Sequence, residues 1–259
     1  MADLVYPPVI LAIKGFWKYL GIRFTFEGQE HLPADGGAIL AMNHVGYLDF
    51  ALIGTAALPR KRYIRFMAKK EIFDHKIAGP LMRGMHHISV DRSSGGASFV
   101  AALRALRAGE IIGIFPEGTI SRSFEIAKLK TGAVRLAMGA DVPIIPTIVW
   151  GSQRIITKKR KPDFKRRKHP VYVTFGEKFI VTKGMDVEAA EAELRKRMLD
   201  LLHQVQASYP DSPTGQFWAP ARLGGTAPTP EQVQLEYEQY RQTEEYKTSH
   251  PNPKNEEQD

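Results

Sequence analysis

Short apolar segments typical of strands alternate along this chain with segments of helical periodicity, and this order leaves few folds open. Strands are predicted at residues 22–26, 38–42, 63–68, 87–90, 111–115, 144–149 and 171–175. Helices are predicted between them at residues 50–58, 71–82, 97–108 and 127–139. A chain that takes strand and helix in turn forms an α/β fold. We therefore expect a mostly parallel, mixed sheet of about seven strands flanked by helices.

The expected regions are residues 1–21 with an apolar helix, residues 22–208 with the α/β domain, and residues 209–259 with a Pro-rich acidic tail. The tail is rich in Pro, Gly, Gln and Glu, and such segments bury little apolar surface. Within it, Thr229 followed by Pro230 and then by Gln232 has the form of a helix start. We expect one helix there, over roughly residues 230–246, in an otherwise loose segment.

The net charge of +8, from 36 basic and 28 acidic residues, resides in one stretch. Residues 154–168, called the basic segment below, contain nine Lys and Arg residues and a single acid, Asp163. We expect this segment to dock on an anionic membrane, where each Lys or Arg near the surface contributes about 1 kcal/mol. The alternative is a solvated loop before the last strand. Whether the acidic tail folds over the segment, binds a partner or stays disordered is open at this point.

Composition excludes several classes of site. The chain has no cysteine, which excludes disulfides, thiolate metal sites and a cysteine nucleophile. No run of about 18 uncharged apolar residues is present, so we expect no transmembrane span. The first four residues, Met-Ala-Asp-Leu, lack the positive start of a signal peptide. The protein is expected to stay in the compartment where it is made.

A histidine and an aspartate follow the second predicted strand. Asn43 and His44 come directly after it, and Asp49 lies five positions beyond His44. In a tight loop, Asp49 can turn back and accept a hydrogen bond from the imidazole, which fixes the tautomer and raises the basicity of the other ring nitrogen. A histidine held in this way takes a proton from an alcohol. The alternative is that Asp49 caps the next helix and His44 is an ordinary loop residue.

The fifth predicted strand ends in Phe-Pro-Glu-Gly-Thr, residues 115–119. Gly118 permits a close backbone approach, and exposed amides in such a turn can hold an anion, with Arg122 and Lys130 following closely. Because a carboxylate beside an anion is repulsive, we expect Glu117 to order the basic side chains or to bond a hydroxyl. The alternative is an ordinary strand-to-helix turn capped by a nearby Ser or Thr.

Two further strand ends complete the pattern. The fourth predicted strand delivers Arg92 to the same edge of the sheet, and an arginine can hold a phosphate by two parallel hydrogen bonds. Residues 142–146, Val-Pro-Ile-Ile-Pro, form an apolar strand entrance whose default role is in the core.

Together these elements resemble the glycerolipid acyltransferase family typified by 1-acylglycerol-3-phosphate acyltransferase, the PlsC-like family. Its four blocks occur in order over roughly residues 25–180 as Asn43-His44-x4-Asp49, the strand ending in Arg92, Phe115-Pro116-Glu117-Gly118-Thr119, and residues 142–146. A Lys-Glu segment that includes Lys69 lies between the first two blocks. The chain departs from the pattern at Gly46, where the family usually has Ser or Thr, and at Ile120-Ser121, which separate the third block from Arg122.

The resemblance implies an O-acyltransferase that moves a fatty acyl group from acyl-CoA or acyl carrier protein to the free hydroxyl of 1-acylglycerol 3-phosphate, which gives phosphatidic acid. The residues agree, because a chain with no cysteine and no Gly-x-Ser-x-Gly sequence has no obvious nucleophile for an acyl-enzyme. No metal or cofactor is expected. The resemblance assigns catalysis to His44 as base and Asp49 as its orienter, and substrate binding to Asn43, Lys69, Arg92, Glu117, Gly118, Thr119, Arg122 and Lys130.

A lipid acceptor gives the N-terminal helix a role. Residues 9–20 contain Phe16 and Trp17 between lysines, which suits a helix at a membrane interface; packing on the domain's own core is the alternative. The expected partners are an anionic membrane surface, a lysolipid acceptor and an acyl thioester donor. We expect a cytoplasmic protein bound peripherally to the inner face of a membrane.

Other functions fit less of the sequence. The same chemistry could act on glycerol 3-phosphate, another lysophospholipid, a glycolipid or an amino-lipid. A nucleic-acid role for the basic segment is not expected, because Phe164 is its only aromatic residue and stacking platforms are missing. A non-catalytic scaffold disagrees with complete first and third blocks.

Overall fold

The structure, a computed structural model, describes residues 3–91 and 95–243. Its strands are β1 (Arg23–Glu27), β2 (Ala38–Met42), β3 (Ile64–Lys69), β4 (Ile88–Val90), β5 (Ile111–Ile114), β6 (Ile144–Trp150) and β7 (Pro170–Phe175). They form one seven-stranded sheet in the order β1-β7-β6-β2-β5-β3-β4. Neighbouring strands are parallel except for the antiparallel pair β6 and β7. The mostly parallel, mixed sheet predicted from the alternating pattern is confirmed.

Helices cover both faces of this sheet. They are α1 (Tyr6–Leu20), α2 (Asp49–Ala57), α3 (Lys70–Asp74), α4 (Ala78–Gly84), α5 (Gly95–Arg107), α6 (Gly132–Ala140), α7 (Val187–Ser208) and α8 (Pro230–Arg241). The connection from β2 through α2 runs toward β3, whereas the connection from β5 through α6 runs the other way to β6. Because both crossovers are right-handed by rule, α2 and α6 lie on opposite faces. The loops that follow the neighbouring strands β2 and β5 therefore lead to opposite faces of the sheet. Open α/β sheets bind ligands at such a point.

Helix α1 packs on α2 and keeps one face outside. The Tyr6 hydroxyl donates to the Ile64 carbonyl at 2.7 Å, and the Trp17 indole donates to the Thr55 hydroxyl at 3.0 Å. Leu11 and Tyr19, by contrast, are 74% and 62% exposed. The helix thus has a core face and a separate, apolar outer face. None of the helices in the part of the chain that the structure describes is long and apolar enough to cross a membrane.

Two predicted helices differ from those observed. The helix predicted at residues 127–139 begins only at Gly132, because the preceding residues bond to the loop after β5: the Lys130 amide donates to the Pro116 carbonyl at 2.8 Å. The helix predicted at residues 71–82 is divided into α3 and α4. The His75 ring nitrogen accepts from the amide of Ala78 at 3.2 Å and thereby starts α4 afresh.

The described part of the tail packs on the domain. Trp218 is 3% exposed, and its carbonyl accepts from the Gln153 side chain at 3.1 Å. This packing differs from the loose segment that composition suggested, because one large aromatic residue buries enough surface to hold its neighbours. The helix start expected at Thr229 is present, with a capping box between Thr229 and Gln232. The last residues of the helix predicted over 230–246 lie outside the described residues.

Candidate active site

The first and third sequence blocks lie side by side at the carboxyl end of the sheet. Strand β2 lies between β6 and β5 and is parallel to both. Ala41 pairs with Ile114 in the β2–β5 register, and His44 and Glu117 each lie three residues beyond this pair. The blocks are brought together because parallel strands deliver their following loops to one edge of the sheet.

His44 and Asp49 form the contact that the spacing predicted. The His44 Nδ1 lies 2.9 Å from Asp49 Oδ2; the Asp49 side chain is fully buried, whereas that of His44 is 21% exposed. The alternative, with Asp49 as a helix cap, does not occur: Leu48 is the N-cap residue of α2, with no side-chain cap bond. The imidazole also stacks on Phe115, with ring centroids 4.0 Å apart. A buried carboxylate and an aromatic ring therefore hold an imidazole that is still open to solvent.

Asp49 has donors on both oxygens. Its Oδ2 accepts from the amides of Val45 at 2.7 Å and Gly46 at 2.8 Å, in addition to His44. Its Oδ1 accepts a close hydrogen bond from the Ser152 hydroxyl. Such a set of donors compensates a buried negative charge for the loss of water. Because the partner of His44 Nδ1 is an acceptor, Nδ1 carries the proton and Nε2 is left with the lone pair that a base needs.

A second buried histidine shows the contrast. The His87 Nδ1 accepts from the Phe66 amide at 3.1 Å, and the ring lies among aromatic side chains. Burial, supported by the charge of Arg65, lowers the pKa of His87 to about 4. This histidine stays neutral and belongs to the core.

Glu117 joins the two blocks through backbone amides. Its Oε1 accepts from the His44 amide at 3.0 Å, and its Oε2 accepts from the Ala127 amide at 3.0 Å. We expected Glu117 to order basic side chains or to bond a hydroxyl; instead, both oxygens hold main chain. Burial raises the pKa of Glu117 to about 7, although the two amide bonds act in the opposite direction. Glu117 therefore links the His44 loop to residue 127 through the main chain.

Replacing Glu117 by glutamine is expected to destabilise the protein by about 1–3 kcal/mol. Each carboxylate oxygen accepts from a different amide, so the NH₂ group of glutamine must face one of two N–H donors. We expect a lower midpoint in urea unfolding and slower acyl transfer. An unchanged midpoint would show that this link is dispensable.

The same variant tests the ionisation of Glu117. Because the folded-state pKa is raised from 4.5 to about 7, the carboxyl contributes stability below about pH 4.5 and loses that contribution as the pH rises through about 7. Glutamine does not titrate, so the difference in unfolding free energy between the two proteins should narrow from pH 5 to pH 8. A difference that widens over that range would reverse the assignment.

The rest of the third block gathers cations. Gly118 has φ +69°, and a Cβ there would lie 3.3 Å from Lys130 Cε, so the lysine stem crosses this glycine closely. The Thr119 hydroxyl accepts a close hydrogen bond from Lys158. The Arg122 guanidinium makes a two-point contact with the carboxylate of Glu236 in α8. Lys130 and Arg122 thus belong to this loop, and Lys158 reaches it from the basic segment.

Two predicted substrate-binding residues, Asn43 and Lys69, lie apart from this cluster. Asn43 is 1% exposed, and its side chain exchanges two hydrogen bonds with the main chain of Val149 in β6, at 2.8 and 3.0 Å. In this structure the Asn43 side chain joins the end of β2 to β6, as a continuation of the strand ladder. Lys69 is exposed at the end of β3, two strands away from β2. Arg92 lies outside the described residues.

The departure at Gly46 has a steric explanation. A Cβ at this position would lie 2.9 Å from the Ile156 carbonyl oxygen and 3.0 Å from the Ser152 hydroxyl. Segment 152–157 occupies the space that a Ser or Thr side chain would need, and Ser152 brings a hydroxyl to Asp49 from there. Ser152 belongs to none of the four sequence blocks. Its signal was its position just beyond the sixth predicted strand, at the same edge as His44.

The start of the basic segment also packs on this loop. The Thr157 hydroxyl donates to the Val45 carbonyl at 2.7 Å, and the Tyr47 amide donates to the Ile156 carbonyl at 3.1 Å. The sequence placed the whole segment outside the four blocks and away from catalysis. The structure corrects this for its first residues, which form part of the framework around His44.

Comparison with known proteins agrees with this geometry. A family model described as Acyltransferase matches residues 23–150. A 1-acyl-sn-glycerol-3-phosphate acyltransferase of Bacillus subtilis is 37% identical over 156 residues, which cover 59% of this chain and 73% of that protein. One from Limnanthes douglasii is 32% identical over 169 residues, covering 61% of this chain and 55% of that protein. The crystal structure of the acyltransferase PlsC from Thermotoga maritima superposes with a TM-score of 0.64 at 21% identity, over 78% of this chain and 82% of that one.

Proposed function

Because this chain belongs to the PlsC-like acyltransferase family and is an O-acyltransferase by that membership, we propose that it acylates 1-acylglycerol 3-phosphate to phosphatidic acid. The donor in this proposal is an acyl thioester, either acyl-CoA or acyl carrier protein. The observation that carries the proposal is the 2.9 Å contact between His44 and the buried Asp49, at the carboxyl end of the central strand.

The reaction proceeds in this proposal without an acyl-enzyme. The acceptor hydroxyl attacks the thioester carbonyl carbon while His44 Nε2 takes the hydroxyl proton. Asp49 stabilises the imidazolium that forms. The tetrahedral intermediate then collapses, the carbon–sulfur bond breaks, and the departing thiolate receives the proton from His44. The products are the new ester and a free thiol.

The oxyanion of the intermediate requires donors other than the first-block amides. The amides of His44, Val45, Gly46 and Tyr47 already donate to Glu117, Asp49 and the Ile156 carbonyl. In our proposal the donors therefore come from the third block, other than the Gly118 amide, which donates to the Phe115 carbonyl at 2.9 Å.

The acceptor phosphate is assigned to the cations of the third block. Lys130 lies across Gly118, and Arg122 follows in the same loop. A panel of acceptors offered with labelled acyl-CoA tests this assignment: 1-acylglycerol 3-phosphate, glycerol 3-phosphate, a lysophospholipid with a capped phosphate and a phosphate-free lipid alcohol. Product on the free hydroxyl of the first acceptor supports the proposal. Preference for the phosphate-free acceptor, unaffected by Lys130→Ala, would contradict it.

The outer face of α1 and the end of the basic segment form one surface. The rings of Phe16 and Phe164 lie 5.8 Å apart, and Phe164 is 42% exposed. A Cβ at Gly21, just after α1, would lie 3.2 Å from side-chain atoms of both Arg166 and Lys168. Apolar side chains and cations are therefore adjacent, as in peripheral proteins that bind anionic bilayers. We propose that this surface holds the enzyme on the membrane that carries its acceptor.

The double substitution Arg166→Gln/Lys168→Gln is expected to weaken binding to anionic vesicles about thirtyfold at low salt, at about 1 kcal/mol for each charge. Vesicle sedimentation measures this, and activity on detergent-dispersed acceptor should stay near that of the unmodified enzyme. The control Lys183→Gln/Lys196→Gln removes the same charge from the region of α7. Equal binding by both variants would refute the docking surface.

A further inference from the structure

A basic cavity lies beside the catalytic loop. A space of about 670 Å³ is lined mainly by residues 154–161, 216–218 and 226–228. The charged lining residues are Arg122, Arg154, Lys158, Lys159, Arg160, Lys161 and Asp163. The volume is that of a small-molecule site. Because the lining is strongly cationic, the cavity favours an anion.

This cavity adjoins the site already described. Arg122 belongs to both, and Lys158 reaches from the cavity lining to the Thr119 hydroxyl of the third block. Thr157 of the lining donates to the carbonyl next to His44. An anion bound in the cavity therefore lies next to residues 157 and 158, which in turn contact the His44 loop and the third block.

A carboxylate of the protein already lies at the edge of this cavity. Glu236 in α8 contacts both terminal nitrogens of Arg122, and its Oε2 also lies 3.0 Å from Lys159 Nζ. Hydrogen bonding to Arg122 and then to Lys159 lowers the pKa of Glu236 to about 2, so the group stays charged. A two-point contact with a guanidinium is the geometry by which arginine also holds phosphate.

We propose that this cavity binds the phosphate-bearing part of a substrate, and that Glu236 occupies one phosphate position until the substrate displaces it. The proposal rests on the proposed acyl transfer and adds to it a binding site formed by residues 158–161 and a competing group supplied by α8. The Glu236 carboxylate is 42% exposed, and exposed ion pairs of this kind contribute little, so a doubly charged phosphate can replace it.

Two substrate parts have this chemistry. The acceptor carries one phosphate, whereas the carrier in acyl-CoA carries several phosphates and a nucleoside. The cavity is larger than one phosphate needs, and the cations at positions 160 and 161 lie beyond those that Glu236 covers. Size and charge therefore favour the nucleotide of the donor; Arg122 then belongs to the donor site, and Lys130, which is not among the lining residues, is left for the acceptor phosphate.

Isothermal titration of the full chain with adenosine 3′,5′-bisphosphate and, separately, with glycerol 3-phosphate tests the site. Glu236→Gln should tighten binding of the ligand that uses the cavity about three- to tenfold, because its competitor loses its charge. Glu238→Gln, on the same helix, is the matched control and should leave Kd unchanged. Lys161→Gln should weaken the same ligand about three- to tenfold, whereas Lys165→Gln, outside the cavity lining, should not.

Tightening for the bisphosphate assigns the cavity to the donor, and tightening for glycerol 3-phosphate assigns it to the acceptor. Equal Kd values in the unmodified protein and in Glu236→Gln, or no effect of Lys161→Gln, would overturn the proposal. Because binding is measured without turnover, such a result leaves the proposed acyl transfer standing. Conversely, failure to acylate 1-acylglycerol 3-phosphate in the acceptor panel would contradict the proposed acyl transfer, and the titrations do not depend on that result.

Discussion

Replacing His44 by alanine is expected to lower kcat for acyl transfer by about 10³-fold or more, the size of a general-base contribution. The side chain makes its contacts only with Asp49 and Phe115 among the bonds and ring contacts described, and it is partly open to solvent. Its loss should therefore leave the fold intact. Initial rates with labelled acyl thioester, beside a urea unfolding curve, measure both effects.

The control for this variant is His203→Ala. This histidine belongs to α7, which packs on β6 and β7, and its ring lies 3.9 Å from the Glu125 carboxylate rather than against His44 or Asp49. Its removal should change the rate less than twofold, by the usual range for residues outside a site. A folded His44→Ala protein with near-normal activity would remove His44 from the mechanism.

The second large effect is expected from Asp49→Asn, with kcat lower by about 10²- to 10⁴-fold, as when an orienting carboxylate loses its charge. The side-chain oxygen of asparagine can take the place of Oδ2 and accept from His44 and from the amides of Val45 and Gly46. Its NH₂ group then faces Ser152, whose hydroxyl can turn from donor to acceptor. We therefore expect the unfolding free energy to change by only about 1 kcal/mol. The rate loss comes from the missing charge behind the imidazolium.

The variant Asp49→Ala separates the effect of losing the charge from the effect of losing the hydrogen-bond acceptor. It leaves the amides of Val45 and Gly46 without their acceptor and should cost more stability than Asp49→Asn. The double variant His44→Ala/Asp49→Asn should be no slower than His44→Ala alone, because residues that act as a unit are not additive. Additive losses would show that Asp49 acts independently of His44.

Asp49 and Glu117 show why similar carboxylates respond differently. At Asp49, the single donor on Oδ1 is a hydroxyl that can reverse, so an amide is tolerated. At Glu117, both donors are backbone N–H groups that cannot reverse. Asparagine at position 49 is thus expected to spare the fold and remove activity, whereas glutamine at position 117 damages the fold first.

Local patterns predicted those features that depend on neighbours in the chain. The seven strands follow from apolar runs, and the helix start at Thr229 follows from its own capping residues. The His44–Asp49 contact spans five residues, so one loop can bring the two side chains together. The alternative, in which Asp49 caps the helix, could be excluded only from the structure, where Leu48 is the N-cap residue.

Contacts between distant segments could not be predicted in this way. Ser152 and Asp49 are 103 positions apart, and Arg122 and Glu236 are 114 apart. They meet because the strand order places β6 beside β2, and because buried Trp218 brings the tail back to the domain. Strand order depends on the packing of all elements at once, so no single segment encodes it.

The sequence by itself determined the fold class, the family blocks and the histidine–aspartate pair, since short-range periodicity and spacing carry that information. Only the tertiary structure decided what surrounds the pair. The side chains of Glu117 and Asn43 bond to main chain. Segment 152–157 occupies the space next to Gly46, and Glu236 pairs with Arg122. The physical reason is that hydrogen-bond partners and free space at a site are supplied by whichever strands lie next to each other.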